Sequence, residues 1–167
     1  MPKLTDPSVI DALEYQLRMY EEVRQLARTW NTERGAWVNE ALVIRIVAVL
    51  EEYDVFGPGK GIEETLPGGK QAEALRLARH CYAHSRGKQI RSRCRKSDRK
   101  IRDAFELGGQ KSIFSDRNIL SVDTVLRPGV SACVQYCNAL IQKERSTSSE
   151  SWIPGSSRVS GPRLFPT

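Results

Sequence analysis

Both histidines of the chain, His80 and His84, fall within one stretch, Arg79-His80-Cys81-Tyr82-Ala83-His84. Four residues apart on a helix, they share a face. Three readings of the pair stay open on spacing alone. In the first they are polar residues at a helix end, where an imidazolium favours the C-terminal dipole. In the second they chelate zinc, although the glutamate of an HExxH helix is missing and a further ligand would have to come from Cys81 or Cys94. In the third they belong to a metal-free phosphodiester site. Cleaving RNA needs a base to activate the 2′-hydroxyl, an acid to protonate the leaving 5′-oxygen and a cation to hold the developing charge. Histidine titrates near neutral pH and serves as either acid or base. Arginine keeps its proton and grips phosphate oxygens with two donors. The stretch supplies both residue types.

A strongly basic block adjoins it. Residues 67–102 carry 12 basic and 2 acidic groups, net +10, whereas residues 1–66 carry 7 and 12, net −5, and residues 103–167 carry 7 and 6. Charge concentrated in this way is the usual footprint of a polyanion partner, with a solvated face as the plainer alternative. Arg86, Lys88, Arg91, Arg93, Arg95 and Lys96 are the expected phosphate contacts, and RNA the expected partner.

The stretch Arg79 to His84, followed by Ser85 and Gly87, resembles the signature of the HEPN superfamily (higher eukaryotes and prokaryotes nucleotide-binding): an arginine, a polar residue, a few mostly apolar residues and a histidine at a helix end. In arrangement the likeness covers residues 8–143; the specific part is the motif. The resemblance implies an all-helical fold, a homodimer and a metal-independent endoribonuclease of toxin–antitoxin, phage-defence or RNA-processing type, with an antitoxin or regulatory partner. It makes Arg79 and His84 the catalytic pair and puts His80 in a variable polar position where asparagine is frequent. It implies no cofactor and no metal. Other members of the superfamily are inactive, so a non-catalytic RNA-binding or protein-interaction module is the rival expectation.

Helices have to position these groups. Asp6 and Pro7 are suited to start a helix that carries Val9, Ile10, Leu13, Leu17, Tyr20, Val23, Ala27 and Trp30 on one stripe until Asn31 and Gly35 interrupt it. A second helix is predicted from about Ala36 to about Tyr53; its Val- and Ile-rich middle resembles a strand, but its length decides for helix. Gly57-Pro58-Gly59-Lys60-Gly61 and Pro67-Gly68-Gly69 mark a long loop, which lacks the spacing of a phosphate-binding loop. A third helix runs from about Lys70 to Ser85 and carries the motif. The basic run Arg86 to Arg102 leads into a short helix stopping near Gly108 and Gly109. Residues 112–126 are ambiguous, with an extended piece around Ser112–Phe114 and a helical turn after Ser121. A last helix starts at Pro128, with Val130, Cys133, Val134, Cys137, Leu140 and Ile141 on its apolar face.

The whole is expected to be an all-α antiparallel bundle of about four main helices, one domain over residues 1–144, with a disordered tail from 145 to 167. With 40% hydrophobic and 28% charged residues the balance is that of a globular protein. No apolar run approaches the ~18 residues of a spanning helix, and no signal-peptide layout opens the chain. Four cysteines without a CxxC pair then read as reduced thiols of a cytoplasmic protein. Cys133 and Cys137 are expected in the core, and Trp30 and Trp37 are expected to pack. Glu21, Glu22, Glu51 and Glu52 are expected to be solvated, with one acidic group free to orient His84.

Overall fold

The computed structural model describes residues 7–26, 33–55, 61–84, 95–108 and 122–150. They form five α-helices and a π-helical turn, with no β-strand among them. Helix α1 spans Ser8–Leu26, α2 Glu33–Glu52, α3 Gly69–His84, α4 Arg95–Ala104 and α5 Arg127–Glu150, with the π-turn at Val122–Leu126. Helices α1, α2, α3 and α5 close a ring in which each packs on two neighbours, and α4 lies outside against α3. The all-α bundle expected from sequence is the observed fold.

Apolar spacing explains the ring. Val9 and Leu13 of α1, Val43, Ile46, Val47 and Leu50 of α2, Leu75 and Ala78 of α3, and Cys133 and Cys137 of α5 are all essentially inaccessible. Burying a side chain of this size contributes about 1.5–3 kcal/mol, against the entropy of ordering it. Asn39 is the one buried polar residue among those described. It is satisfied by Tyr20, whose hydroxyl donates to its Oδ1 at 2.6 Å, and burial pushes the Tyr20 phenol up to about 12.

Helix ends depart from the sequence reading. Gly35, expected to separate α1 from α2, lies buried inside α2. Helix α2 ends in a Schellman motif with Asp54 in the left-handed region at φ 58°. There the Val55 amide donates to Leu50 and the Asp54 amide to Glu51, and Val55 is buried. Glu106, φ 52°, does the same for α4, with Leu107 donating to Arg102; the expected glycine stop near Gly108 is not used. Gly68 is required: its φ is +77° and a Cβ there would overlap the Ala132 carbonyl of α5. The segment 61–68 is not a free loop, since the Glu63 amide donates to the Tyr136 hydroxyl at 3.1 Å and Lys143 pairs with Glu63 at 2.6 Å.

Three further expectations are corrected. Helix α5 runs to Glu150, past the expected boundary at 144. Ser146 and Thr147, in the stretch expected to be disordered, donate their hydroxyls to the Gln142 and Lys143 carbonyls and stay helical. Trp37, expected to pack, is 77% exposed, and Val23 of the α1 stripe is 41% exposed. Cys81 is disulfide-bonded, so the thiols are not all reduced. Residues 1–6, 27–32, 56–60, 85–94, 109–121 and 151–167, with the calls made on Asp6, Trp30, Ser112–Phe114 and the tail beyond Glu150, lie outside the described residues. No helix among the described residues is long and apolar enough to cross a membrane.

Candidate nucleic-acid interface

Helix α3 buries Ala74, Leu75, Ala78, Cys81 and Tyr82, at spacings that put one face of the helix into the bundle. The middle of the Arg79–His84 motif is therefore core. Arg79 sits at the edge of that face, its side chain 36% exposed, with Nη2 at 3.5 Å from Oε2 of Glu51 on α2. His80 is exposed. His84 is the last residue of α3, and only its backbone is described. Five residues apart on a regular helix, Arg79 and His84 leave the axis about 140° apart, whereas His80 and His84 leave it on one side. A single α3 does not turn the arginine and the terminal histidine onto one face.

Glu51, one of the acidic groups expected to be solvated, accepts from Arg79. The pair is solvent-exposed, so it is a weak tether that a phosphate can displace. Where the protein binds RNA, Glu51→Gln is expected to raise the affinity up to about fivefold, the equivalent of the ~1 kcal/mol upper range of an exposed pair. Filter binding at fixed salt measures it.

Of the six expected phosphate contacts, Arg86, Lys88, Arg91 and Arg93 lie outside the described residues, Arg95 opens α4 with only its backbone described, and Lys96 is exposed. Helix α4 shows what the basic run does once folded. Ile101 and Ala104 are buried against α3. Lys96, Arg99 and Lys100 are exposed, Arg99 on the side away from Ile101 and Ala104, and Lys96 and Lys100 on the row that flanks Ala104. Arg99 and Lys100 were not singled out from sequence. Periodicity about Ile101 was the signal that could have found them. Their ion pairs are surface contacts, Arg99 with Asp103 at 3.9 Å and Lys100 with Glu64 at 3.6 Å, so both cations remain available to an anion.

Helix α4 is docked on α3. Its last carbonyl, at Ala104, accepts from Nε2 of Gln71 in the first turns of α3 at 3.0 Å. A cavity of about 440 Å³ lined by Gln71, Glu106, Thr124, Ser131 and Gln135 opens near the other end of α3 and contains none of the expected site residues.

No protein-family model matches this chain, and neither a curated protein nor a solved structure does. The site rests on its own chemistry.

Cysteine chemistry enters that site in one place. Cys81, inside the motif, is disulfide-bonded and buried, and a disulfide sulfur is not a thiolate ligand, which weakens the zinc reading of the histidine pair. Cys133 and Cys137 are free and buried in α5. Desolvation pushes both thiols up, Cys137 to about 12, so they are packing residues rather than nucleophiles.

Proposed function

We propose that the protein is a metal-independent endoribonuclease of HEPN type, cleaving RNA by attack of its own 2′-hydroxyl. The observation that carries this reading is the packing of α3, which holds Arg79, His80 and His84, against α4, whose Lys96, Arg99 and Lys100 are exposed. Cations hold the strand by its phosphates; Arg79 stabilises the charge that grows on the reacting phosphate; His84 moves protons, with His80 assisting from the same side of the helix. Because Arg79 and His84 diverge on one helix, the working unit is a homodimer in which the arginine of one protomer and the histidine of the other flank one RNA strand. Toxin or phage-defence duty in the cytoplasm, with an antitoxin or regulatory partner, fits such an enzyme.

A second reading is favoured by the Arg79–Glu51 contact: a non-catalytic RNA-binding module in which Arg79 is a structural partner of α2 and the histidines do no chemistry. Incubating the purified protein with labelled RNA in EDTA separates the two. Cleavage to products ending in a 2′,3′-cyclic phosphate opposite a 5′-hydroxyl is the expected result. Salt-sensitive binding of RNA that stays intact would leave only the module.

A further inference from the structure

All the large apolar side chains that are exposed among the described residues belong to two neighbouring helices. Tyr15, Met19 and Val23, at 47, 38 and 41% exposure, recur every fourth residue on α1, and Trp37 and Ile44, at 77 and 37%, lie two turns apart on α2. Exposed Ala41 and Ala48 continue the α2 row. Two hydrogen bonds fix how the rows sit against each other. Ser8 donates to Tyr53 and Tyr20 to Asn39, which makes α1 and α2 antiparallel. In that register Met19 is level with Ala41, Val23 with Trp37, and Tyr15 with Ile44 and Arg45. The two rows thus run at matching heights on neighbouring helices, with exposed Arg45 level with Tyr15. Single exposed apolar residues are ordinary, but a contiguous patch on a soluble bundle marks a docking surface.

We infer that this face binds an amphipathic helix of a partner protein, one whose apolar stripe is flanked by Lys or Arg. The α2 row from Trp37 to Ala48 is about 16 Å long, which a partner helix of about three turns covers. Charge selects the flanks. Helices α1 and α2 carry eight acidic and four basic side chains, net −4, and Asp11, Glu14, Glu22 and Glu52 are exposed on them. Two of the four cations are already engaged, Arg24 with Asp123 and Arg18 over the Tyr15 ring at 5.6 Å. A second copy presenting the same face would set two acidic surfaces together, whereas a basic-flanked helix meets opposite charge at the rim and apolar surface at the centre. Trp37 is the anchor, being the residue type that most often dominates such contacts. The inference does not rest on the ribonuclease reading, which concerns the basic α3–α4 side.

Fluorescence anisotropy with the full-length protein and three labelled helical probes tests it. One probe has a leucine stripe with lysine flanks, the second the same stripe with glutamate flanks, and the third the lysine probe with its leucines scrambled off one face. The first is expected to bind, and Trp37→Ala and Met19→Ala are each expected to weaken it roughly tenfold or more. Both side chains are exposed, so circular dichroism of the variants should match the parent. The second and third probes should bind roughly tenfold more weakly than the first. Equal binding of the glutamate or scrambled probe, or binding indifferent to Trp37→Ala, overturns the inference. So does sedimentation showing a dimer of the free chain that Trp37→Ala dissolves, because the occupant is then a second copy.

Discussion

Arg79→Ala and His84→Ala are each expected to slow RNA cleavage by ~10²–10⁴-fold, the loss typical of a positioned acid, base or charge-stabilising group. Neither change should unfold the bundle. Arg79 is partly exposed and its pair with Glu51 is a surface contact at 3.5 Å, worth at most about 1 kcal/mol. His84 is the last residue of α3, where a substitution costs a helix little. Arg79→Lys separates charge from geometry: a lysine restores the cation but not the two-donor grip, so it should recover only part of the rate. His80→Ala should cost less than either, since the resemblance puts it in a variable position. Mixing Arg79→Ala with His84→Ala protein probes the composite site, because a heterodimer regains one arginine and one histidine across the interface. The parent should cut RNA in EDTA and leave DNA intact, having no 2′-hydroxyl to activate there. A His84→Ala variant as fast as the parent, or a reaction stopped by chelation, removes the mechanism.

Repetitive features of the fold were legible in the sequence, and individual exceptions were not. Apolar positions recurring every three or four residues predicted all the main helices, and the Val- and Ile-rich middle of α2 was correctly assigned on length. Helix ends failed where a residue outside the usual set took the capping conformation. Asp54 and Glu106 hold left-handed backbone that glycine usually supplies, because the buried Val55 and half-buried Leu107 behind them anchor the turn. Gly35 reads as a break but is kept helical inside the bundle, where packing offsets its cost of about 1 kcal/mol. Trp37 illustrates the same limit at the surface: composition says a tryptophan packs, and only the structure shows that it stands 77% exposed beside the α1 row among the described residues. Within the candidate site, the motif and its basic neighbourhood were visible as residue types. The Arg79–Glu51 contact, between residues 28 apart in the chain, was not, since nothing local in the sequence encodes which α2 carboxylate α3 will meet. Arg99 and Lys100 were hidden in the general charge of the run until Ile101 defined which side of α4 faces the bundle.

Replacing Lys96, Arg99 and Lys100 together with Gln is expected to reduce the slope of log affinity against log salt by about 2, taking ~0.7 per phosphate contact on a single strand. At low salt this corresponds to a loss on the order of 10²-fold in RNA affinity. The three side chains are exposed, and the ion pairs that are lost, Arg99 with Asp103 and Lys100 with Glu64, are surface pairs at 3.9 and 3.6 Å. The buried contacts of Ile101 and Ala104 that dock α4 on α3 are untouched, so thermal stability should change little. The triple variant also distinguishes what the cations do in an enzyme from what they do in a module. In the enzyme they bind substrate and product alike, so KM should rise while kcat at saturating RNA stays near the parent value. A combined fall in kcat would mean that α4 shapes the reacting phosphate itself, and with it the Arg79 end of α3. In a module there is no turnover to preserve, and the whole measurable effect is the loss of salt-dependent binding. An unchanged salt slope would show that this face of α4 never meets nucleic acid, and would move the search for the phosphate contacts to Arg86, Lys88, Arg91 and Arg93.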